Sequence, residues 1–432
     1  MAAADAQLLW LSAKVPNDQF LMYVFDGTPD IPAGIEEVRR NAEGCEPLRL
    51  RVCDDSRWRY PRWVSAEVGD EQFAVHEPVE VGDWSACLDS VARLDQLDVT
   101  RMGWRVNVFP PAVVVVQVSH AVGDGTRSAA LAAALLGRRI PIPTVTPDRG
   151  NLLWRGIGAA RAHRVMVRDT EAGALAPPPA PRPALSVNAH PTAHPTAHPT
   201  GTAVLRTLVV DRARLHRPTV TVAALSAVAE ALGGYLAERG EDTHLLGAEV
   251  PMAGSSTAKA RNNFRNVSIG LHPQLDRERR AARIGWELGA ARRRAEHPAT
   301  QASVAAFASM PAPLLRWGMR QFDPAARSAT VSAHTVVSSV NRGPADLTFG
   351  GRRVVLTGGY PALSPMMGLT HGVHGIGDAV AVSVHADPAV VDVDDYVGRL
   401  AHALGCQPTP APKRRFGRDT ASQSRQNVDL EG

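Results

Sequence analysis

The chain has 432 residues, of which 44% are hydrophobic and 21% charged, a composition that fits an ordinary globular protein with room for two domains. Lys and Arg total 47 and Asp and Glu 43, and the resulting net charge of +4 suits a CoA phosphate or an anionic lipid surface but is too weak to imply nucleic acid. Four cysteines without CxxC spacing favour neither a zinc site nor a disulfide scaffold, and they fit a reducing cytoplasm.

Targeting signals are not evident in the sequence. Residues 1–7 lack the basic and apolar regions of a signal peptide, and the longest apolar stretch, around residues 112–118, is too short to span a bilayer. We therefore expect a cytoplasmic protein whose membrane contact, if any, is peripheral.

Helix and strand patterns alternate in the first part of the chain. They predict a helix around 35–42, a strand over 47–52, a helix around 84–94 and a strand over 104–109. A β-branched run over 111–118 is typical of a central strand covered on both faces. It leads through Ser119 and His120 into the turn Ala-Val-Gly-Asp-Gly, and an Ala/Leu-rich helix follows over 126–136. His120 is thus expected at the carboxyl end of a strand, where ligands bind in open α/β sheets.

Composition changes sharply over residues 176–200. A proline-rich stretch precedes three tandem Ala-His-Pro-Thr repeats, which predict an extended or disordered linker. The repeated His190, His194 and His198 could bind a metal, but repeat expansion in a linker explains them without function, and no metal site is predicted.

Strands and helices return after the linker. Strands are predicted over 204–210, 245–251, 262–271, 331–340, 353–357 and 379–386, and helices over 220–239, 276–296 and 392–404. The Gly-rich stretch from His371 to Asp378 could line a pocket, but a turn is the favoured interpretation. The boundaries that follow are an N-terminal domain at 1–175, the linker at 176–200, a C-terminal domain at 201–406 and a disordered tail at 407–432.

The HxxxD spacing occurs three times among 15 histidines, beginning at His120, His272 and His374. About one match is expected by chance, so the spacing alone decides nothing. Only the match at His120 follows a long apolar strand, is followed by glycine and opens a helix.

A histidine at this place suits acyl transfer from a thioester to an alcohol. The reaction needs a base near neutral pH to take the hydroxyl proton, and the same group can then protonate the leaving thiolate. Asp124 would fix the turn or pair with an arginine, and Gly125 would keep the entrance open. From the pattern alone, a hydrogen-bonded structural histidine is the favoured alternative.

The segment Ser119-His-Ala-Val-Gly-Asp-Gly125 resembles the HHxxxDG motif of the bacterial wax ester synthase/diacylglycerol acyltransferase family, within the CoA-dependent acyltransferase superfamily. Further segments resemble that family in the same order along the chain, namely 47–51, 97–98 with 104–105, 262–268, 338–344, 360–361, 385–387 and 391–392. The resemblance covers nearly the whole chain except the linker and the tail.

This resemblance implies an α/β fold of two chloramphenicol-acetyltransferase-like domains with the active-site tunnel between them. It implies that His120 is the general base and that Asp124 is mainly structural. No bound cofactor, metal or covalent acyl-enzyme is expected, and acyl-CoA is the co-substrate. The substrate-binding candidates are Ser119, Gly125, Asn266, Ser338 and Asn341, the last two also being candidates for stabilising an oxyanion.

The expected function is transfer of a fatty acyl group to diacylglycerol or a long-chain alcohol, giving triacylglycerol or a wax ester. Ser119, Thr221 and Gly375 depart from the family's pattern. These departures leave two alternatives: an acyltransferase for a polar or secondary-metabolite hydroxyl, and an inactive homologue that binds lipid or acyl-CoA.

Two segments bear on contacts with other molecules. The segment 314–322 mixes apolar and basic residues, and packing against the core is favoured over contact with a membrane or lipid droplet. The basic helix within 277–294 is interpreted as a solvated face, part of which CoA phosphates could use.

Overall fold

A computed structural model describes residues 1–78, 84–148, 150–189, 203–215, 218–254 and 259–406. The three linker histidines and the predicted tail therefore lie outside the described residues. The first part of the chain contains, in order, α1 (Ala3–Ser12), β1 (Gln19–Phe25), α2 (Ile31–Glu43), β2 (Leu50–Cys53), β3 (Arg62–Ser65), β4 (Phe73–Val75), α3 (Trp84–Ala92), β5 (Trp104–Phe109), β6 (Val113–Val118), α4 (Gly125–Leu135) and α5 (Leu152–Glu171).

The rest of the described chain continues the alternation of helices and strands. It contains β7 (Arg182–Pro183), β8 (Val204–Asp211), α6 (Arg212–Leu215), α7 (Val220–Ala237), β9 (Gly247–Ala253), β10 (Phe264–Gly270), α8 (Arg277–Glu296), α9 (Pro298–Ala308), α10 (Ala312–Gln321), β11 (Thr330–Val331), β12 (Thr335–Asn341), β13 (Thr348–Phe349), β14 (Arg352–Gly359), β15 (Leu369–Ile376), β16 (Ala379–Ala386) and α11 (Val393–Leu404).

Two six-stranded sheets organise these elements. The first has the order β13-β14-β1-β6-β5-β4, and the second has the order β10-β9-β12-β15-β16-β8. The sequence-based expectation of an α/β fold is confirmed. Strand β6 lies in the middle of the first sheet, and all six of its residues are buried, as its β-branched run predicts.

Strands β13 and β14 belong to the first sheet although they come from the second half of the chain. Strand β14 pairs antiparallel with β1, for example Tyr23 with Thr357, while the other side of β1 pairs with β6. The division of the chain at residues 175 and 201 remains a prediction, and the first sheet combines strands from both halves, whereas every strand of the second sheet comes from the second half.

The core has one large apolar cluster under each sheet and a third between them. In the second half, α7 and α11 pack their apolar faces on the sheet, and Leu225, Leu232 and Leu400 are fully buried there. The third cluster joins Met22, Phe109 and Val115 of the first sheet to Leu205 and Tyr360. Both sheets thus share packed side chains, which fixes the position of one against the other.

The interpretation of 371–378 as a turn was wrong, because 369–376 form strand β15, of which every residue is buried. Its glycines serve close packing rather than turning. A Cβ atom at Gly372 would lie 2.0 Å from the carbonyl oxygen of Gly359 in β14, so only glycine fits where this strand passes β14.

Residues 186–188, in the middle of the predicted linker, are packed against the rest of the protein. Residues 186–188 form a 3-10 turn, Val187 is fully buried, and the side chain of Asn188 donates to the carbonyl of Met366. The composition predicted an extended or disordered segment here, because its high proline content gives no sign that Val187 is buried. Residues 190–202 lie outside the described part of the chain.

Helix α7 is the one described helix that is long and apolar enough to cross a membrane by length and composition, and 67% of that window is buried inside the protein. Its apolar character is therefore largely accounted for by packing. Helix α10 buries Leu315 and exposes Leu314 and Trp317, so the expectation of core packing holds for only one side of it.

Candidate active site

His120 lies in the turn between β6 and α4, at the carboxyl end of the central strand. The ring is half-buried and lines a cavity of about 580 Å³. Side chains of both sheets line this cavity, among them Gln19 of β1, Met252 of β9 and Ser338 of β12. The histidine is thus delivered to a space between the two halves of the molecule and is not sealed in the core.

Asn262 orients the His120 ring. Its amide nitrogen donates to the carbonyl oxygen of His120 at 2.9 Å and to Oδ1 of Asp5 at 3.1 Å, so both amide hydrogens are used. The amide oxygen must therefore accept, and it lies 2.9 Å from Nδ1 of His120. This arrangement places the proton on Nδ1 and leaves Nε2 with a free lone pair.

Asp5 in turn fixes Asn262. Its carboxylate is 1% exposed and accepts from the backbone N–H groups of Arg261 at 3.1 Å and of Asn262 at 2.8 Å. Burial raises the pKa of Asp5, and these hydrogen bonds oppose that rise. Asp5, Asn262 and His120 form a chain of contacts that joins helix α1, the segment before β10 and the turn after β6.

Burial lowers the pKa of His120, while its bonds to the protein partly restore it. A lowered pKa keeps the imidazole neutral near pH 7, which is the form that can accept a proton. The ring also packs against Phe264, with centroids 5.6 Å apart.

Asp124 is the N-cap of α4, and its carboxylate forms no hydrogen bond with the His120 ring. One oxygen accepts from the N–H of Arg127 at 2.9 Å and the other from the N–H of Asn263 at 2.9 Å. Its own N–H donates to the carbonyl of Arg261 at 3.3 Å. Asp124 therefore joins the turn to the segment that carries Asn262, which agrees with a structural role.

The other predicted site residues are only partly brought together. Gly125, Ser338 and Asn266 line the cavity with His120. Ser119 is 3% exposed, and its N–H donates to the carbonyl of Gly103 at 3.0 Å, so it is part of the core behind the site. Asn341 is exposed and accepts from the N–H of Gly343 at 3.1 Å, and it does not line the cavity.

Asn266 also lines a second cavity of about 970 Å³, which shares Thr330, Val331 and Ser332 with the first. The two spaces therefore adjoin at the end of β10. The second cavity carries Arg182, Arg265 and Arg283. In the sequence this region is marked only by Asn266 and by a basic helix that CoA phosphates could use, since the cavity depends on the packing of distant segments.

Asp5, Arg342 and His374 are site residues that sequence analysis missed or left without a role. Asp5 lies in a helix that no motif marks. Arg342 and His374 line the same cavity as His120. His374 was noted for its HxxxD spacing and as part of a stretch that could line a pocket, but its place in a buried strand was not predicted.

This architecture is the two-domain, chloramphenicol-acetyltransferase-like α/β fold. Residues 262–405, about a third of the chain, match the family model described as the WS/DGAT C-terminal domain. A solved structure with this fold is the wax ester synthase/diacylglycerol acyltransferase from Marinobacter aquaeolei VT8, with a TM-score of 0.56, 17% identity, and coverage of 93% of this chain and 97% of that one.

Condensation domains share the fold as well. The starter condensation domain of rhizomide synthetase, solved in complex with C8-CoA and Leu-SNAC, matches with a TM-score of 0.56 and 14% identity over 94% of this chain and 92% of that one. The first condensation domain of the calcium-dependent antibiotic synthetase, in complex with a substrate analogue, matches with a TM-score of 0.55 and 15% identity over 94% of each chain. No curated protein sequence matches this chain.

Proposed function

We propose that this protein is an acyl-CoA-dependent O-acyltransferase in which Nε2 of His120 is the general base. The observation that carries the proposal is the contact chain from Asp5 through Asn262 to Nδ1 of His120, because it selects the tautomer whose Nε2 can accept a proton. Family and fold, both of acyltransferase type, support the same reaction class.

In the proposed reaction, one proton passes from the acceptor hydroxyl to His120 and then to the CoA thiolate. The acceptor hydroxyl gives its proton to Nε2 as its oxygen attacks the thioester carbonyl. The tetrahedral intermediate then expels the CoA thiolate, and Nε2 returns the proton to that sulfur. The intermediate carries a negative oxygen, and the hydroxyl of Ser338 is our candidate donor to it because it faces the cavity. Asp124 holds the turn and touches neither substrate.

The cavity supports an acceptor with an apolar part. Phe20, Leu21 and Met252 line it, which suits the acyl chains of diacylglycerol or a long-chain alcohol, with triacylglycerol or a wax ester as product. A contact with a membrane or lipid droplet would bring such acceptors to the protein. The same cavity also contains Arg342 and His374, and these favour a second candidate, an acceptor with a polar group.

The test is thiol release from palmitoyl-CoA by the purified protein with dioleoylglycerol, hexadecanol or no acceptor. Acceptor-dependent release is expected from the wild type and is expected to disappear in His120→Ala. His272→Ala is the matched control, because this histidine also begins an HxxxD match but pairs with Glu287 in the second cavity and does not line the cavity of His120. Release that persists in His120→Ala would exclude His120 as the base.

Absence of release with either acceptor would reject the lipid substrates. A panel of polar hydroxyl acceptors would then test the second candidate. If none of these supports release while C8-CoA still binds, the alternative of an inactive binding homologue would replace the proposal.

A further inference from the structure

Arg342 is a buried cation in the wall of the His120 cavity. The residue is 7% exposed, and its guanidinium donates to the hydroxyl of Thr357 and, at 2.9 Å, to the carbonyl of Gly358. The group lies over the Tyr23 ring, 5.4 Å from the centroid. All these neighbours are neutral, and Nε of Arg342 has no hydrogen-bond partner.

No carboxylate in the described part of the chain forms an ion pair with Arg342, and burial lowers the pKa of its guanidinium. The cavity does contain acidic side chains, but each is engaged elsewhere. Asp18 accepts from Gln117 at 2.8 Å, and Glu249 accepts from Asn266 at 3.0 Å. Asp124 caps α4. A buried charge without a counter-ion is costly, and such a charge at a cavity wall is favourable where a ligand supplies the partner.

His374 lies beside this guanidinium. It is 6% exposed, lines the cavity, and its Nδ1 has no hydrogen-bond partner. A Cβ atom on Gly359 would lie 2.8 Å from Nη2 of Arg342 and 2.8 Å from Cε1 of His374, so both side chains border the same glycine. Arg342, His374 and Gly359 all line the space that His120 faces, with Nη2 of Arg342 and Nε2 of His374 beside Gly359, while the unpartnered Nε of Arg342 and Nδ1 of His374 are buried in its wall.

We propose that Arg342 and His374 form a subsite for an anionic oxygen group, a carboxylate or a phosphate, carried by a substrate. A guanidinium binds such a group through charge-assisted hydrogen bonds, and a neutral imidazole adds one donor. The apolar lining nearby would hold the rest of an amphiphilic molecule. Only the identity of the ligand as a substrate rests on the proposed function, since the binding itself needs no turnover.

The anionic group could belong to the hydroxyl acceptor or to the acyl group, and binding of matched probe pairs distinguishes the two sources. For the acceptor, calorimetry compares ricinoleate with methyl ricinoleate below their aggregation concentrations. For the acyl group it compares succinyl-CoA with butyryl-CoA. The full chain is used as wild type, Arg342→Met and His374→Phe. Arg265→Met is the control, because it removes an exposed charge from the neighbouring cavity.

The wild type is expected to bind the carboxylate member of one pair at least about tenfold more tightly than its neutral partner. The pair that shows this preference identifies which substrate carries the anion. Arg342→Met should abolish the preference, His374→Phe should reduce it, and Arg265→Met should retain it. Circular dichroism establishes that each variant is folded.

Equal affinities within both pairs for the wild type would overturn the proposal without reference to any variant. An unchanged preference in folded Arg342→Met would also overturn it. Repeating the titrations with His120→Ala separates this proposal from the proposed function, because loss of acyl transfer leaves the binding preference measurable.

Discussion

The side-chain oxygen of Asn262 lies 2.9 Å from Nδ1 of His120, although 142 positions separate the two residues in the sequence. The histidine is delivered by the first half of the chain and oriented by the second. The site therefore exists only when the two halves are packed together, and changes on either side of that contact should alter the chemistry.

Substitution of Asn262 by Ala should lower kcat/KM by roughly 10–100-fold, as is typical when a group that orients a functional histidine is removed. The ring would then be free to take the other tautomer. Steady-state kinetics measures the effect. Asn41→Ala is the control. The side-chain amide of Asn41 donates a comparable hydrogen bond to the carbonyl of Leu135, outside the site. Equal activity of both variants would contradict the orienting role.

The pH dependence of kcat/KM should report the lowered pKa of His120. Burial favours the neutral imidazole, so the rate should decline as the pH falls with its half-maximal point below pH 6.5, the ordinary pKa of histidine. Asn262→Asp would put a carboxylate at Nδ1 and should move this decline to higher pH. A half-maximal rate above pH 6.5 in the wild type would be inconsistent with the environment described.

Asp124 and Asp276 offer a matched pair of N-cap residues. Each accepts from a backbone N–H three residues later, but only Asp124 also accepts from the N–H of Asn263. Substitution by Ala should cost about 1 kcal/mol of stability for Asp276 and about 2 kcal/mol for Asp124. Denaturant unfolding measures both values.

Only Asp124→Ala should also lower the rate of acyl transfer, because it releases the segment that carries Asn262. The structural role of Asp124 would be refuted if Asp124→Ala kept full stability and lost all activity.

Ser338 should matter for catalysis, and Asn341 should not. If the Ser338 hydroxyl donates to the negative oxygen of the intermediate, Ser338→Ala should reduce kcat by about 10²-fold or more with little change in KM. Asn341→Ala should leave both constants nearly unchanged, because its amide faces the turn at Gly343. A kcat loss confined to the Asn341 variant would reverse this assignment.

Asp18 should make stability depend on pH. Burial raises its pKa from 3.8 to about 6, so the unfolded chain loses this proton first as the pH rises. The stability that Asp18 contributes is therefore present at low pH and is lost as the pH rises toward 6. Asp18→Asn should increase stability near pH 7 by at most about 3 kcal/mol.

Urea unfolding of the wild type and Asp18→Asn at about pH 4 and about pH 7 measures this difference. The variant should gain more at the higher pH. A gain that is the same at both values would show that Asp18 does not titrate in this range.

Local sequence signals predicted the element that carries His120. The β-branched run, the turn and the helix after it are contiguous, and β5 and β16 have the bounds that alternation predicted. Asn262 belonged to a segment whose resemblance was noted, but its contact with His120 depends on tertiary packing. The roles of Asp5 and Arg342 could not be predicted from the sequence, because they also depend on tertiary packing.

Strand β15 was misinterpreted because glycine is found both in turns and in strands where another backbone passes very close. Glycines usually mark turns, but Gly372 is required by the nearby backbone of β14, which belongs to the other sheet. Helix α5 has no fully buried residue, so it offers little of the apolar periodicity on which sequence interpretation depends.

The pairing of β14 with β1 has a consequence for the order of folding. Strand β1 leaves the ribosome long before residues 352–359, and until they arrive one of its edges has no partner. During synthesis this edge is open to pairing with other chains, so aggregation would compete with closure of the first sheet. Completion of the sheet is therefore a late, long-range event, and the cavity that His120 lines forms only after residues 352–359 have been made.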